Sequence, residues 1–560
     1  MRAGDPEVRP AGTAHRPHEA LRRPVDAGED RRAPLLGGAL HRYPRGLALG
    51  LGAAAATGFP PLRLWPLALV AMGLFVLLLS QARRGREAFL LGWLFGLAHY
   101  TLTNNWIATA FTYQASMPPA LGWVAVPLLS LYLAVYPGLA ALAAWSLWRG
   151  RGGPAGLIWL FGACWIVAEW LKSWVFTGYA WAPFSLTMLG GFDRPGLAAV
   201  LPVMGTYALS GLAVVIAGYL ALLVSERRWR VLALTFGLLA AGMFWPAATD
   251  TSADGLPVTL VQPDIRQQDL NNAALFEEQF ARIAALSRPL RPGERRLVLW
   301  PESAVPDYLR DGYPQRYYDQ LTAGGDPAFA RRRIGAAIGE GSLLLTGAVD
   351  LEIRADETGY RRAVGAYNAV TVIDAQGTLR GRYVKAHLVP YGEYLALRWL
   401  LEPLGATRLV AGALDFIPGP GPQTLELGPW GQAGVQICYE IIFSGKVVDR
   451  AARPQFIFNP SNDGWFGAWG PPQHLAQARL RAIEEGLPVL RATTTGISAI
   501  ISADGVVRHH IPMHRAARID TRIPAPAPPT LFARFGHGLT LFWTLTLLAG
   551  SVVAMRLRRA

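Results

Sequence analysis

The chain has 560 residues, of which 52% are hydrophobic and only 16% charged, where an ordinary soluble domain carries about 25% charged residues. Its formal charge is +14, but the arginines fall in short clusters between apolar stretches, with no basic helix or recognised binding module, so nucleic acid is not an expected partner. The two cysteines, Cys164 and Cys438, are too few for a disulfide framework.

Residues 1–44 are rich in Arg, Pro, Ala and Gly, carry charges of both signs and lack the apolar core of a signal peptide; they read as a disordered cytoplasmic tail. A membrane-spanning helix takes about 20 mostly apolar residues. Stretches near 45–60, 64–81, 88–110, 121–148, 155–172, 195–224 and 229–247 fit that requirement and form a predicted N-terminal membrane domain over 45–248. An eighth stretch lies at 534–555. Basic clusters precede the first stretch and recur at Arg83–Arg84–Arg86, Arg149 with Arg151, Arg227–Arg228–Arg230 and Arg556–Arg558–Arg559. The loops near 60, 110–120 and 173–194 hold few basic residues. Cytoplasmic loops carry the Lys/Arg excess, so this alternation predicts both termini inside and the segment 255–525 outside.

That outward segment alternates short β-rich runs with helical patterns. Strands are expected at Val258–Gln262, Arg296–Trp300, Leu343–Val349, Ala369–Ile373, Val435–Tyr439, Phe456–Phe458 and Ile497–Ser502, and helices at Ala273–Ala285 and His474–Glu485. Turn signals at Asp374–Gly377 and Ala503–Gly505 predict antiparallel hairpins. The class is an α/β sheet structure covered by helices.

Three segments of this domain each place a reactive group just beyond an apolar run. Leu297-Val-Leu-Trp-Pro-Glu302 ends in a carboxylate, Arg382-Tyr-Val-Lys385 in an ammonium and Gly434-Val-Gln-Ile-Cys438 in a thiol. A free thiol ionises near pH 8.5, so a nucleophilic cysteine needs a base. Glu302 serves once burial lifts its pKa. Lys385, with backbone N–H groups after Cys438, can stabilise the oxyanion of a tetrahedral intermediate. Together the three suit covalent acyl transfer through a thioester. His387 and His474 lack any ligand spacing, so no metal or other cofactor is expected.

Order, spacing and flanking residues resemble the nitrilase superfamily, whose Glu–Lys–Cys triad occurs in this chain order. The fuller resemblance is to its membrane-bound branch, the apolipoprotein N-acyltransferases, from about residue 45 onward. It rests on Trp300-Pro-Glu-Ser303, Lys385-Ala-His-Leu-Val-Pro-Tyr-Gly-Glu-Tyr394, Cys438-Tyr-Glu440 and Asn462-Asp-Gly-Trp-Phe-Gly467, with Glu169-Trp-Leu171 and Phe176-Thr-Gly-Tyr-Ala-Trp181 in the membrane part. The resemblance implies an α-β-β-α sandwich over 255–525, facing the periplasm of a bacterial inner membrane. It implies Glu302 as base, Lys385 as oxyanion stabiliser and Cys438 as nucleophile, supported by Glu393, Tyr439 and Glu440. It also implies a phospholipid acyl donor and, as acceptor, the α-amino group of a diacylglyceryl-modified apolipoprotein. Trp465, Phe466 and Trp469, with Leu395–Leu401, are expected at a lipid-facing rim. One departure is the stretch Val261–Leu270, which lacks the Lys-Trp pair frequent in the family. An amidase using water as acceptor is the first alternative. A transporter or scaffold is the second, disfavoured because few ionisable residues beyond Glu169 and Lys172 lie within the spans.

Overall fold

The computed structural model describes residues 43–113, 118–151, 153–247, 255–404 and 414–557. The predicted tail falls, up to residue 42, outside these described residues.

The apolar stretches of the N-terminal half form helices α1 (Pro44–Ala56), α2 (Trp65–Leu79), α3 (Gly85–Thr103), α4 (Leu121–Leu133), α5 (Val135–Trp148), α6 (Gly153–Lys172), α7 (Thr206–Ser225) and α8 (Trp229–Phe244). The continuous run Leu121–Trp148, together with α6, α7 and the C-terminal helix from His537, is long and apolar enough to cross a membrane. Helices α2 and α8 are apolar but shorter. The structure therefore supplies several apolar helices rather than a count of eight spans. The stretch expected as a helix from 195 begins only at Thr206. Gly205 before it has φ +77°, and Leu197–Val200 and Leu201–Met204 are separate short turns.

These helices pack through small residues, which let backbones approach where no water is available to drive association. A Cβ on Gly52 would lie 2.1 Å from the carbonyl oxygen of Phe95, and one on Gly73 2.3 Å from that of Ala217.

Twelve strands build the second half: β1 (Pro257–Gln262), β2 (Leu297–Leu299), β3 (Leu343–Ala355), β4 (Arg361–Asp374), β5 (Leu379–Val384), β6 (Thr424–Glu426), β7 (Gln432–Val435), β8 (Phe456–Ser461), β9 (Val489–Thr493), β10 (Ser498–Ile501), β11 (Val507–Ile511) and β12 (Ala517–Arg522). They form two six-stranded sheets, ordered β12-β1-β2-β3-β4-β5 and β6-β7-β8-β9-β10-β11. Across each sheet the pairings run antiparallel, parallel, parallel, antiparallel, antiparallel. Both predicted hairpins are present, as β4–β5 and β10–β11.

Strand alternation assigns each face. Leu297, Leu299, Phe456, Phe458, Leu490 and Ile500 share one core in which the two sheets face each other. The opposite face of the first sheet, with Val298 and Trp300, packs on Ile283 of α9 (Phe276–Ser287) and Ile334 and Ile338 of α10 (Pro327–Ile338). The opposite face of the second sheet, with Ile457, Val489 and Ile501, belongs to a core that continues through α11 (Gly470–Glu485) into the membrane half.

Helix α11 is therefore covered on both sides, and its polar residues bond across the junction. Gln473 accepts from Trp181 Nε1 at 2.7 Å and donates to Thr103 O at 3.2 Å. Glu484 accepts from the Thr206 N–H at 2.8 Å. The Arg479 guanidinium donates to the carbonyls of Gly190, Gly191 and Arg194. Buried polar groups persist only when so satisfied. The C-terminal helix α12 (His537–Leu557) packs back on α6.

Candidate active site

Sheet one delivers a carboxylate and an ammonium to its edge with sheet two. Glu302 follows β2 after the Trp300–Pro301 step and is buried. Its position depends on Gly347 of β3, where a Cβ would stand 2.6 Å from the Glu302 Cα. Lys385 follows β5, and its backbone N–H bonds to Asn368 O at 2.8 Å, extending the β4–β5 ladder by one residue. Its Nζ lies 3.0 Å from Glu393 Oε1 and 3.6 Å from Glu302 Oε1. Burying an unpaired ammonium costs several kcal/mol. Here burial works to lower the Lys385 pKa, but the charges of Glu393 and Glu302 outweigh it and hold the ammonium well above its ordinary range.

Asn368 of β4 binds both carboxylates, donating from Nδ2 to Glu302 Oε1 at 2.7 Å and to Glu393 Oε1 at 2.8 Å. The second oxygen of Glu393 accepts the Val389 N–H at 2.8 Å, and that of Glu302 accepts the Asn462 N–H at 2.9 Å. Asn462 follows β8, so this last bond crosses between the sheets. Its side chain also donates to Gln267 Oε1 at 2.7 Å. The stretch that lacks the Lys-Trp pair thus still reaches the site.

Sheet two delivers the thiol. The predicted strand Val435–Tyr439 is shorter than expected: β7 stops at Val435 and Cys438 opens a 3-10 turn, Cys438–Ile442. The cause is local. Glu440 Oε2 takes the Ile437 N–H at 2.8 Å, and Cys438 adopts φ +50°, which a β-strand cannot accommodate. Cys438 is buried, and burial followed by the Glu302 charge pushes its thiol well above the ordinary value, with Lys385 pulling the other way.

Glu440 ties the two loops together. Beyond Ile437 it accepts the N–H groups of Ala386 and His387, at 2.7 and 3.0 Å, and the Tyr383 hydroxyl at 2.9 Å. Burial pushes its carboxyl up to about 7. Tyr439 points elsewhere: its hydroxyl donates to Gly178 O at 3.4 Å and its ring meets Phe443 and His387.

The three aromatic residues expected at a rim sit where the halves meet. Trp465 contacts the Tyr113 ring at 5.9 Å, and Phe466 contacts Trp106 and Trp181 at 4.6 and 5.6 Å. Trp469 is half-buried against the same core. Leu397, Trp399 and Leu400, in contrast, are exposed.

The sequence reading missed Asn368 and a charged cluster of Asp463, His474 and Arg491 behind Cys438. An amide interrupting the apolar run of β4 was the available signal for the first.

Two facing sheets with a buried carboxylate, ammonium and thiol at their seam define a nitrilase-type α/β enzyme domain. Residues 258–512 match the family described as carbon-nitrogen hydrolase, and residues 51–219 match the apolipoprotein N-acyltransferase N-terminal domain. Apolipoprotein N-acyltransferases of Rhodopseudomonas palustris and Allorhizobium ampelinum are 32% and 33% identical to this chain, over 88% and 91% of it and 91% and 95% of their own lengths. That of Nitrosomonas europaea is 30% identical over 91% of this chain and 98% of its own. A Nesterenkonia amidase of the nitrilase superfamily, 19% identical, spans 50% of this chain and 94% of its own with a TM-score of 0.31. The chain belongs to the apolipoprotein N-acyltransferase family.

Proposed function

We propose that this membrane acyltransferase of lipoprotein biosynthesis takes an acyl chain from a phospholipid onto Cys438. It then passes that chain to the α-amino group of the diacylglyceryl-modified N-terminal cysteine of an apolipoprotein. Glu302 removes the Cys438 proton as the sulfur attacks the ester carbonyl, and Lys385 with the Tyr439 N–H stabilises the oxyanion. The carbon–oxygen bond to glycerol breaks, Glu302 returns the proton to the leaving oxygen, and a lysophospholipid departs. The acceptor amine attacks the thioester, the carbon–sulfur bond breaks, and Glu302 carries the amine proton back to the thiolate. Glu393 orients Lys385, while Glu440 and Tyr439 fix the loops around the nucleophile.

The single observation that carries this reading is the meeting of the two sheets at three buried groups: Lys385 Nζ lies 3.6 Å from Glu302 Oε1, and Glu302 Oε2 takes the N–H of Asn462 at 2.9 Å from the sheet that carries Cys438. A thiol pushed up by burial is unreactive by itself, so the adjacent carboxylate and ammonium account for its use as a nucleophile. In the full arrangement, seven spans over 45–248 and one over 534–555 hold the α-β-β-α domain, 255–525, on the periplasmic side of a bacterial inner membrane. The Arg clusters support that orientation. Exposed Leu397, Trp399 and Leu400 suit a lipid-facing rim, to which we also assign Trp465, Phe466 and Trp469 at the junction of the two halves.

Detergent-solubilised protein incubated with acyl-labelled phospholipid tests the proposal. A hydroxylamine-sensitive label on Cys438, discharged by a diacylated lipopeptide and not by water, is the expected result. Label undiminished in Cys438→Ala, or discharge by water as fast as by peptide, overturns it; the second outcome favours an amidase.

A further inference from the structure

Against the backbone carbonyl of Cys438 lies a fully buried set of polar groups that the reaction as described leaves unused. His474 Nε2 stands 3.0 Å from the carbonyl oxygen of Cys438, and its Nδ1 stands 2.9 Å from Asp463 Oδ1 and 3.0 Å from Arg491 Nη2. All three residues are essentially inaccessible. Arg491 Nη2 also bonds both Asp463 oxygens, at 2.8 and 2.6 Å, while its Nη1 holds Ser461 Oγ at 2.9 Å and the Asn459 side-chain oxygen. Asn459 in turn directs Nδ2 at the Cys438 carbonyl from 3.5 Å and at Gln436 O from 2.6 Å. Both donors on the Cys438 carbonyl therefore depend on one guanidinium.

A carbonyl oxygen only accepts, so His474 Nε2 carries the proton of that bond. Burial and Arg491 hold the ring below its ordinary pKa. Nδ1 lies within hydrogen-bond distance of both the Asp463 carboxylate and the Arg491 guanidinium, and this ion pair fixes that edge of the ring. The ring is further clamped by Trp181 at 5.3 Å and Phe466 at 5.6 Å, so the membrane half also fixes its plane.

The peptide that His474 grips is planar and trans, which makes the Cys438 C=O and the Tyr439 N–H antiparallel. Holding the oxygen therefore aims the N–H, and a donor on the oxygen also polarises it. Cys438 at φ +50° sits in the left-handed region, which a residue other than glycine keeps only when its surroundings over-determine it. We infer that His474, anchored by Arg491 and Asp463, is a positioning residue that holds the Cys438–Tyr439 peptide so that the Tyr439 N–H faces the acyl oxyanion. The inference rests on the acyl-transfer reading above.

The test compares two reactions of Cys438 in full-length His474→Phe and His474→Gln. Alkylation by iodoacetamide passes through no oxyanion, whereas thioester formation from phospholipid does. Expected for His474→Phe is acylation slowed about 100-fold, the size of one lost oxyanion donor, at unchanged KM and with alkylation within threefold of wild type. In His474→Gln, whose amide can still donate, acylation returns to within about tenfold of wild type, a recovery worth roughly one pK unit of free energy. Acylation by His474→Phe within threefold of wild type would overturn the inference, as would alkylation falling in parallel with acylation. Failure of the unmodified protein to form any thioester would instead remove the functional reading, and this inference with it.

Discussion

The two sheets share one pairing pattern yet contribute opposite chemistry. In the first, the strand ends carry Glu302 and Lys385, charged groups held by side chains and by each other. In the second, the equivalent region carries a neutral thiol, Cys438, in a left-handed backbone conformation held through its own carbonyl. Strand β2 leads to Glu302 and its counterpart β8 leads to Asn462, and these two ends meet in the bond from Asn462 N to Glu302 Oε2. The charged pair and the thiol thus come from separate rigid frames, and the proposed reaction would depend on the seam between them. On the proposed reaction, sheet one supplies the base and the ammonium, and sheet two sets the backbone direction at Cys438.

The largest effect that could break this comparison lies at Gly347. An alanine there places a methyl 2.6 Å from the Glu302 Cα and 2.8 Å from Pro301 O, both backbone atoms that cannot swing aside. Gly347→Ala should lose about 1–3 kcal/mol of stability, typical of overpacking, and most of its acyl-enzyme formation, read by denaturation and phospholipid labelling. Stability and labelling both unchanged would show that Glu302 is not held by β3.

A smaller effect separates Glu393 from Glu440. Glu393→Gln removes one charged partner of Lys385, a contribution of about 1.5–3 kcal/mol for a hydrogen bond to a charged group, or roughly 10- to 100-fold in acylation rate. Glu440→Gln instead changes a pH dependence. Its folded carboxyl, pushed up to about 7, lies above the ordinary 4.5, so the folded chain retains a proton that the unfolded chain has lost between those values. Its stabilising contribution is therefore full below pH 4.5 and declines as pH rises through 7. Thermal unfolding of wild type minus that of Glu440→Gln should trace this decline, and a flat difference would contradict it.

The smallest effect belongs to the outer layer of sheet one. Arg333 of α10 forks onto the exposed Glu277 of α9 at 2.8 and 2.7 Å. Glu277→Ala should shift stability by no more than about 1 kcal/mol and leave acylation untouched.

The placement of Glu302, Lys385 and Cys438 beyond strands was legible in the sequence because each follows an apolar run, and a strand end is recognisable from that run alone. The hairpins β4–β5 and β10–β11 were legible from their turn residues. What could not be read depends on pairing between distant segments. Strand β12, Ala-Arg-Ile-Asp-Thr-Arg, has little apolar character and becomes a strand by pairing with β1 far earlier in the chain. Arg491 stood in a stretch for which no strand was expected, and it is buried in β9 against Asp463 and Asn459. His474 lacked ligand spacing for a metal, and its bond to the Cys438 carbonyl follows from a turn that the expected strand Val435–Tyr439 concealed. The apolar stretches suggested eight spans; among the described residues four helices are long and apolar enough to cross a membrane, and the break at Gly205, which periodicity does not reveal, shortens one expected stretch.

The division of labour between the sheets is tested most directly by comparing Glu302→Gln with wild type in two assays of Cys438 at pH 8.5. The Glu302 charge helps to hold the thiol above its ordinary range, so removing that charge favours the thiolate. The account predicts iodoacetamide alkylation faster than in wild type, while thioester formation from phospholipid falls by about 100-fold or more for want of a general base. Alkylation and acylation falling together, or acylation persisting in Glu302→Gln, would contradict it.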